Sequence, residues 1–449
     1  MGSRLRKAVV LAFVLGGWRL ALCLPAHANT TAQALPPLAT VVAAADAPHM
    51  RLARNDVTLP AQSAPATPRT PAAGSPAAPP APAPLPDGGV ILQPVAPQPS
   101  QRDLRPPGTV RIALLLPLRA PALAPAAAAV RAGFEAAWER EKPGVTIGVY
   151  ETDGTPQQAL ARHAEAAAAN DVVVGPLTRS EAGAIARAGD APRPTVMLSH
   201  PDLPGAQGER EKALPRNLLA AGLSVEDDAR QVARLIAADK MVGKVMVIAA
   251  DVAWQRRAAR AFTSQWRALG LTAVQADLAL AEGFPTPDSM LAIRQRIAAE
   301  APQALFIALD ASLAAQLRLA IGHEVPMVGT SQLNPLSQAD WAASPGVPDL
   351  DGIRLVDIPW QLQGDHPAVM SYPRMPAAVD QRRSADFERL YALGIDAYRI
   401  AREIALGSPS FALDGVTGKL QVHFVDGAAG FERIAQPAVY QDGRVVPQP

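Results

Sequence analysis

This sequence has few cysteine and aromatic residues, and its positive and negative charges nearly cancel. Among its 449 residues there is one cysteine, Cys23, which excludes an intramolecular disulfide framework and a zinc site built from cysteines. Aromatic residues make up 4% of the chain and few of them follow predicted strands, so an aromatic-lined ligand cleft is not indicated. The formal net charge of +1 implies no bulk attraction to nucleic acid or to an anionic membrane, and we expect no nucleic-acid partner.

The short motifs of common catalytic sites are also missing. The sequence contains no H-E-x-x-H, G-x-S-x-G, G-x-x-x-x-G-K-[ST], G-x-G-x-x-G or S-x-x-K. Five of the seven histidines lie beyond residue 108, and no two of these have the spacing of metal ligands. We therefore predict that the protein is not an enzyme and that it has neither a metal ion nor another cofactor.

Residues 1–28 have the composition of a signal peptide. Three cationic residues among the first seven precede an apolar run at 8–17, and Ala26-His27-Ala28 forms a cleavage site before Asn29. The run is shorter than the roughly 20 residues that cross a membrane, so we expect export to the periplasm. In an alternative interpretation Leu20-Ala21-Leu22-Cys23 is a lipobox, and acylated Cys23 anchors an outer-membrane lipoprotein. Leu22 is large where a small residue normally precedes the cysteine, which favours soluble export.

Residues 29–108 are rich in proline and alanine. Residues 61–84, for example, contain no aromatic or large aliphatic side chain, so this segment cannot bury enough apolar surface to offset the entropy of ordering the chain. We predict a disordered tether that reaches from about 50 Å as a coil to roughly 250 Å in the polyproline limit. A dispensable spacer would have the same composition.

From residue 109 onward, strand and helix patterns alternate. The aliphatic run Val110–Leu116 is typical of a parallel strand buried on both faces. Further strands and helices alternate as far as Leu198, an order that predicts βαβ units in a parallel sheet covered by helices. The predicted helices here are Ala126–Arg140, Pro156–Ala169 and Ser180–Ala188, and the further strands are Val145–Tyr150, Asp171–Val174 and Thr195–Leu198.

The alternation restarts at Val225 and predicts a second lobe. A long helix, Arg389–Leu406, has apolar residues at helical spacing and is expected to return to the first lobe. The predicted fold class is α/β, with two Rossmann-like lobes and a cleft between them over residues 109–449, as in type I periplasmic binding proteins. We place lobe 1 at about 109–220 with part of the C-terminal region, and lobe 2 at about 221–360.

Candidate ligand-binding residues follow the predicted strands, because ligands of open α/β sheets bind beyond the carboxyl ends of the strands. Thr178 and Ser180 follow the third strand, and Ser199 and His200 follow the fourth. In the amino-acid-binding proteins of this fold class, hydroxyl groups in these two loops hold the ligand carboxylate, and the resemblance to this class implies that role for the hydroxyls here. Thr178 or Ser180 would equally cap the next helix, and Ser199 and His200 would equally begin a polar turn.

Four more candidates follow other predicted strands. Arg119 is either an anion partner in the cleft or a solvated surface arginine. Trp254, Thr330 and Ser331 occupy the equivalent positions in the second lobe, where Trp254 also fits a core position. Trp360 is predicted to pack at the hinge between the lobes, because Pro359 restricts the chain and the indole ring offers a large apolar contact.

Several segments together resemble a known family. They are IALLLPL (112–118), VVVGPLTRSE (172–181), GLSVEDDARQVA (222–233), DLDGIRLVDIPW (349–360), LYALGIDAYRIA (390–401) and DGVTGKL (414–420). In this order they resemble the LppC-like penicillin-binding protein activators, whose folded domain is similar to leucine/isoleucine/valine-binding proteins. The resemblance spans about residues 110–447. DIPW followed by LGIDAY is its most specific part.

The resemblance implies a periplasmic regulator of peptidoglycan synthesis that binds a class A penicillin-binding protein. Known members of this kind are outer-membrane lipoproteins with an N-terminal helical-repeat domain, whereas this sequence has the proline- and alanine-rich tether at that position. The alternative is a periplasmic solute receptor that delivers an amino acid or small peptide to an ABC transporter. Such a receptor needs an acidic partner for the ligand ammonium group, and the sequence identifies none.

Overall fold

The computed structural model describes residues 109–141, 144–203, 213–239, 243–336, 346–375 and 384–448. The predicted signal peptide at 1–28, the tether at 29–108 and the possible lipidation site Cys23 lie outside the described residues.

The first lobe is built on a five-stranded parallel sheet in the order β2-β1-β3-β4-β5. Ile112 in the central strand β1 pairs with Ile147 of β2 on one side and with Val172 of β3 on the other. Every residue of β1 except Arg111 is buried, as a strand covered by helices on both faces requires. The strands are β1 Val110–Leu116, β2 Val145–Glu151, β3 Val172–Val174, β4 Thr195–Met197 and β5 Leu218–Ala220.

Three helices connect these strands. They are α1 Ala124–Arg140, α2 Pro156–Ala169 and α3 Arg179–Ala188. Thr155 caps α2 and Thr178 caps α3, each through a side-chain oxygen that accepts a backbone N–H of the first turn. Alanine is the main buried residue of all three helices, and its small side chain lets them lie close to the sheet.

The second lobe is built on a seven-stranded sheet in the order β17-β16-β12-β11-β10-β6-β7. Its β7, β6, β10, β11 and β12 are parallel, whereas β16 and β17 extend the sheet in antiparallel pairs. A two-stranded hairpin, β8 Leu280–Ala281 and β9 Phe284–Pro285, follows β7. The sheet strands are β6 Val245–Ala250, β7 Ala273–Leu278, β10 Ala304–Ala308, β11 Met327–Gly329, β12 Arg354–Asp357, β16 Gln436–Gln441 and β17 Arg444–Pro447.

Helices cover both faces of this sheet. On one face α4 Val225–Ala238 and α5 Ala253–Ala268 pack over Phe306 of β10. There Phe262 of α5 stacks on Phe306 with 4.1 Å between ring centroids. The other face is covered by α6 Pro287–Glu300 and α7 Ala311–Ile321. Two 3₁₀ turns, Ser331–Leu333 and Pro348–Leu350, flank the chain leading to β12.

After β12 the chain returns to the first lobe through two short helices, α8 Pro359–Leu362 and α9 Pro367–Met370. Trp360 is fully buried in the core of the first lobe, and its indole N–H donates to Glu388 at 2.7 Å. Because β12 belongs to the second lobe, Trp360 lies where the chain crosses between the lobes.

The long helix α10, Ala385–Ala405, packs along α1 in the core of the first lobe. A Cβ atom on Gly394 would lie 2.1 Å from the carbonyl oxygen of Val130, and one on Gly133 would lie 1.9 Å from that of Tyr391. Glycine at both positions therefore permits the close crossing of the two helices. An antiparallel three-stranded sheet, β13 Ser410–Gly415, β14 Gly418–Val425 and β15 Ala428–Ile434, follows α10.

The structure confirms the predicted α/β class. Several elements were not predicted: β5 in the first lobe, β12, β16 and β17 in the second, and the β13–β15 sheet. None of the helices in the described ranges is both long and apolar enough to span a bilayer.

Candidate functional site

A groove with a volume of about 1060 Å³ lies between the lobes. Its walls are α3 and the loop after β4 in the first lobe, α4 and α5 in the second, and the strand β15. We call it the arginine groove, because eight arginines line it. The first lobe contributes Arg179 and Arg187, α4 contributes Arg230 and Arg234, α5 contributes Arg256, Arg257 and Arg260, and β15 contributes Arg433.

Four carboxylates line the same groove, and two of them join the lobes. Glu226 at the start of α4 forms an ion pair with Arg179 of the first lobe at 3.3 Å and accepts from Arg257 of α5 at 3.0 Å. Burial alone would raise the pKa of the Glu226 carboxyl, but the two guanidinium groups outweigh burial and lower it. Glu226 is therefore an ionised bridge between two cations.

Asp227 forms the second connection between the lobes. Its Oδ2 lies 3.0 Å from Nε2 of His200 in the first lobe, and its Oδ1 accepts from Arg230 at 2.5 Å. Burial would raise the pKa of Asp227, but the neighbouring His200 and Arg230 lower it well below its usual range. Ser224 stabilises this end of α4 as its N-cap.

Next to Asp227, the side chain of Asp228 belongs to a different group of polar residues. Its carboxylate accepts the backbone N–H of Ser331 at 3.2 Å. Close by, Arg389 of α10 donates to both carboxylate oxygens of Asp357 at 3.0 and 2.7 Å and to the carbonyl oxygen of Ser331 at 3.1 Å. Asn334 also donates to Asp357 at 2.8 Å. We call these five residues the buried cluster.

The positive and negative groups of the buried cluster are unequal in number. The side chains of Arg389 and Asp357 are 4% and 0% exposed. Burial acts to lower the pKa of Arg389, but Asp357 raises it above its usual range. Burial raises the pKa of Asp228 to about 7, and the negative charge of Asp357 contributes to the same shift. Arg389 also pairs with Asp386 at 3.1 Å, so one cation faces three carboxyl groups.

The predicted first-lobe residues lie at the edge of the groove or below its surface. Thr178 is 1% exposed; its hydroxyl accepts the N–H of Glu181 and donates to the Glu181 carboxylate at 2.8 Å, so it caps α3. The Ser180 hydroxyl lies 3.3 Å from that of Thr178. Ser199 is buried, whereas His200 lines the groove. Burial raises the pKa of Glu181.

The other four predicted residues lie away from the groove lining. Arg119 is exposed and donates to the carbonyl oxygen of Glu151 at 3.4 Å. Trp254 is 2% exposed at the start of α5, and fully buried Thr330 caps a 3₁₀ turn. Ser331 contacts Asp228 and Arg389 through its backbone. Of the eight predicted residues, His200 alone is part of the groove lining; a ligand role for the rest stays a prediction.

The sequence analysis missed the arginines of α4 and α5. Arg230 and Arg234 are four residues apart, as are Arg256 and Arg260, so each pair shares one face of its helix. This spacing is visible in the sequence, but it is also typical of any solvated helix face. The described residues contain no group of three or more His, Cys, Asp or Glu side chains that could hold a metal ion.

Comparison with known proteins gives one family match and several similar structures. The family model described as "LppC putative lipoprotein" matches residues 104–282 and 290–443. A solved structure of a "putative branched-chain amino acid ABC transporter" from Chromobacterium violaceum is 36% identical, with a TM-score of 0.57, and the match covers 74% of this chain and 100% of that one. No curated protein matches the sequence significantly.

Structures of LpoA from Haemophilus influenzae are also similar. Its C-terminal domain, described as part of a regulator of PBP1A, is 20% identical with a TM-score of 0.56, and the match covers 75% of this chain and 99% of that domain. Full-length LpoA is 20% identical with a TM-score of 0.58; the match covers 76% of this chain and 59% of LpoA. At this identity the likeness shows the fold.

Proposed function

Because this chain belongs to the LppC family, we propose that it is a non-catalytic periplasmic regulator of peptidoglycan synthesis that binds a class A penicillin-binding protein. The observation that carries the proposal is the family match, which extends over both lobes. LpoA, which has the same fold in its C-terminal domain, is described as a regulator of PBP1A.

The bonding of the acidic residues supports a non-catalytic role. A general acid or base needs a carboxyl group with access to substrate and a pKa near the working pH. Glu226 and Asp227 face the groove, but both are bound by cationic side chains that lower their pKa values. Asp228 has a raised pKa, but its carboxylate accepts the backbone N–H of Ser331 within the buried cluster.

The location belongs to the same proposal. The predicted signal peptide at 1–28 directs the chain to the periplasm, where peptidoglycan is assembled. Acylation of Cys23 would instead hold it on the outer membrane, with residues 29–108 as the tether. Mass measurement of the mature protein distinguishes a chain that begins at Asn29 from one that begins at a lipid-modified Cys23.

A second candidate function is a solute receptor for an ABC transporter, because the Chromobacterium violaceum structure is described as a branched-chain amino acid transporter component and is 36% identical. Capture of an amino acid carboxylate would need free hydroxyls beyond the strands. The Thr178 hydroxyl is 1% exposed and is bound to Glu181. This geometry favours the regulator.

The proposal is tested by crosslinking the protein in intact cells, purifying it and identifying its partners by mass spectrometry. We expect a class A penicillin-binding protein to be recovered, and we expect the purified chain to raise transpeptidase activity of that synthase. Thermal-shift measurements with leucine, isoleucine and valine are made in parallel. A clear rise in melting temperature with one of them, together with no recovered synthase, would establish the solute receptor instead.

The exposed apolar side chains offer a surface to test for this partner. Phe284 on β9 and Leu319 on α7 are 65% and 71% exposed, and these two elements contact each other on the second lobe. Exposed apolar patches commonly mark protein-binding surfaces. We expect Phe284→Ser with Leu319→Ser to lower the recovery of the synthase. Met370→Ser is the matched control, because Met370 is 65% exposed on a different element.

A further inference from the structure

In the described part of the chain, arginines outnumber carboxylates along the lining of the arginine groove. Eight arginines and His200 line it against four carboxylates. Asp251, which lies outside the lining and pairs with Arg256, brings the acidic side chains to five. Among the described residues, the arginines of the groove therefore outnumber the acidic side chains by three. A concave surface lined by one sign of charge concentrates ions of the opposite sign.

Several of these arginines bind neutral atoms and so keep their full charge. Arg187 donates to the carbonyl oxygen of Asp202 at 2.8 Å. Arg433 donates to the carbonyl oxygens of Ala221 and Gly222 at 2.8 and 2.7 Å. Arg234 is exposed on α4. Arg187 is on α3 and Arg433 is on β15, so two different elements contribute these cations to the groove.

The start of α5 adds to the positive potential. Its N-cap residue, Val252, has no side chain that accepts a hydrogen bond from the first turn, and this turn contains no acidic residue. The free N–H groups and the helix dipole of this 16-residue helix therefore favour an anion. Ala253, Arg256 and Arg257 in the first turns of α5 all line the groove.

The volume of the groove and the apolar residues of its lining restrict the kind of ligand that it can bind. About 1060 Å³ lies at the upper limit of the roughly 300–1,000 Å³ typical of small-molecule pockets. This volume exceeds what one amino acid fills. Ala261, Ala268 and Phe431 provide apolar wall between the arginines, which suits a ligand whose charges are separated by uncharged atoms.

We propose that the arginine groove binds a short oligopeptide-like ligand with several carboxylates along its length. Arginine binds carboxylates through two parallel hydrogen bonds, and the arginines of α4 and α5 are spaced along the groove at successive helical turns. Stem peptides of peptidoglycan and free acidic oligopeptides share this chemistry. The ligand site does not depend on the proposed binding to a synthase.

Isothermal titration of the full chain tests the site with three probes: a disaccharide-tetrapeptide from peptidoglycan, a tetraglutamate peptide and a tetralysine peptide. We expect one or both of the acidic probes to bind, more weakly as salt is added, and we expect no heat from tetralysine. Binding of the disaccharide-tetrapeptide alone would identify the cell wall as the source. Binding of tetraglutamate alone would identify free acidic peptides.

Paired variants locate the binding. Arg234→Gln with Arg260→Gln removes two exposed arginines of the groove, and we expect about tenfold weaker binding of the acidic probe. Arg267→Gln with Arg294→Gln is the matched control, since both side chains are exposed on α5 and α6 outside the lining. Circular dichroism verifies that all variants are folded.

The site is wrong if neither acidic probe binds at low salt, or if the control pair weakens binding as much as the groove pair. Equal binding of tetralysine would also overturn it. None of these results bears on the recovery of a synthase from crosslinked cells, so the two proposals fail separately.

Discussion

Asp227 and Asp228 are neighbours in the sequence, but their carboxyl groups lie in opposite environments. Asp227 is in the arginine groove, where His200 and Arg230 lower its pKa against the effect of burial. Asp228 belongs to the buried cluster, where burial and the charge of Asp357 raise its pKa to about 7. Among the described residues, cations outnumber carboxylates in the groove, whereas carboxyl groups outnumber the single cation Arg389 in and around the buried cluster.

The two regions therefore differ in what their charges do. The charges of the buried cluster stabilise the fold, whereas those of the arginine groove are available to a ligand. In the buried cluster Arg389 hydrogen-bonds to protein groups that are shielded from solvent. If one of these groups is removed, water does not take its place, and the remaining polar groups lose a hydrogen bond. In the groove the ion pairs are partly exposed, so water and salt replace a lost partner at little cost. The comparison predicts large stability effects in the cluster and small ones in the groove.

The largest effect is expected for Arg389→Met. The change leaves Asp357 fully buried without its cation, and loss of one partner of a buried pair costs about 3–5 kcal/mol of the free energy of unfolding. Urea unfolding followed by circular dichroism measures the loss. The double variant Arg389→Met with Asp357→Leu removes both charges and should recover part of it. A change below about 1 kcal/mol in the single variant would contradict the importance of the pair.

A smaller and pH-dependent effect is expected for Asp228→Asn. The raised pKa in the folded state means that the folded protein keeps a proton which the unfolded chain loses above its ordinary pKa of 3.8. Stability from this group is therefore fully present below about pH 4 and is lost as the pH rises towards about 7. The variant should be more stable than the parent by about 1–2 kcal/mol at pH 8 and equal to it at pH 4, after allowance for partial exposure.

Urea unfolding at pH 4, 6 and 8 provides the test. Asp239→Asn is a suitable control, because Asp239 at the end of the same helix is exposed and pairs with Arg354 at the protein surface. It should show no comparable gain at pH 8. A pH-independent effect of Asp228→Asn would mean that the Asp228 carboxyl is already ionised in the folded protein at neutral pH.

The sequence predicted the helices and central strands well, because these depend on local patterns. Buried aliphatic runs such as Val110–Leu116 and helix caps such as Thr155 and Ser224 are readable without tertiary contacts. Strand β5 has three residues and follows a polar interval, so no pattern identifies it. Strand β16 joins the second lobe's sheet through long-range antiparallel pairing with β12, and β17 extends the sheet by pairing with β16.

The residues of the candidate site were less predictable, because they too are brought together by long-range packing. Candidates were chosen at strand ends, and among them only His200 lines the groove. The groove is formed where two helix faces of one lobe approach a helix and a loop of the other, which depends on how the lobes associate. Arg230 and Arg256 are ordinary surface residues in the sequence and become a site only through this packing.

The smallest stability effect, and an increase in binding, is expected for Glu226→Gln. The change removes the carboxylate that neutralises Arg179 and Arg257, whose side chains are 18% and 24% exposed. The free energy of unfolding should fall by about 1 kcal/mol or less, because the partners regain water. The same change frees two cations in the groove, so an acidic peptide should bind about three- to tenfold more tightly at low salt. Thermal unfolding and titration with tetraglutamate measure the two quantities on the same variant. A large loss of stability without any gain in binding would place Glu226 with the buried cluster and would remove the distinction between the two regions.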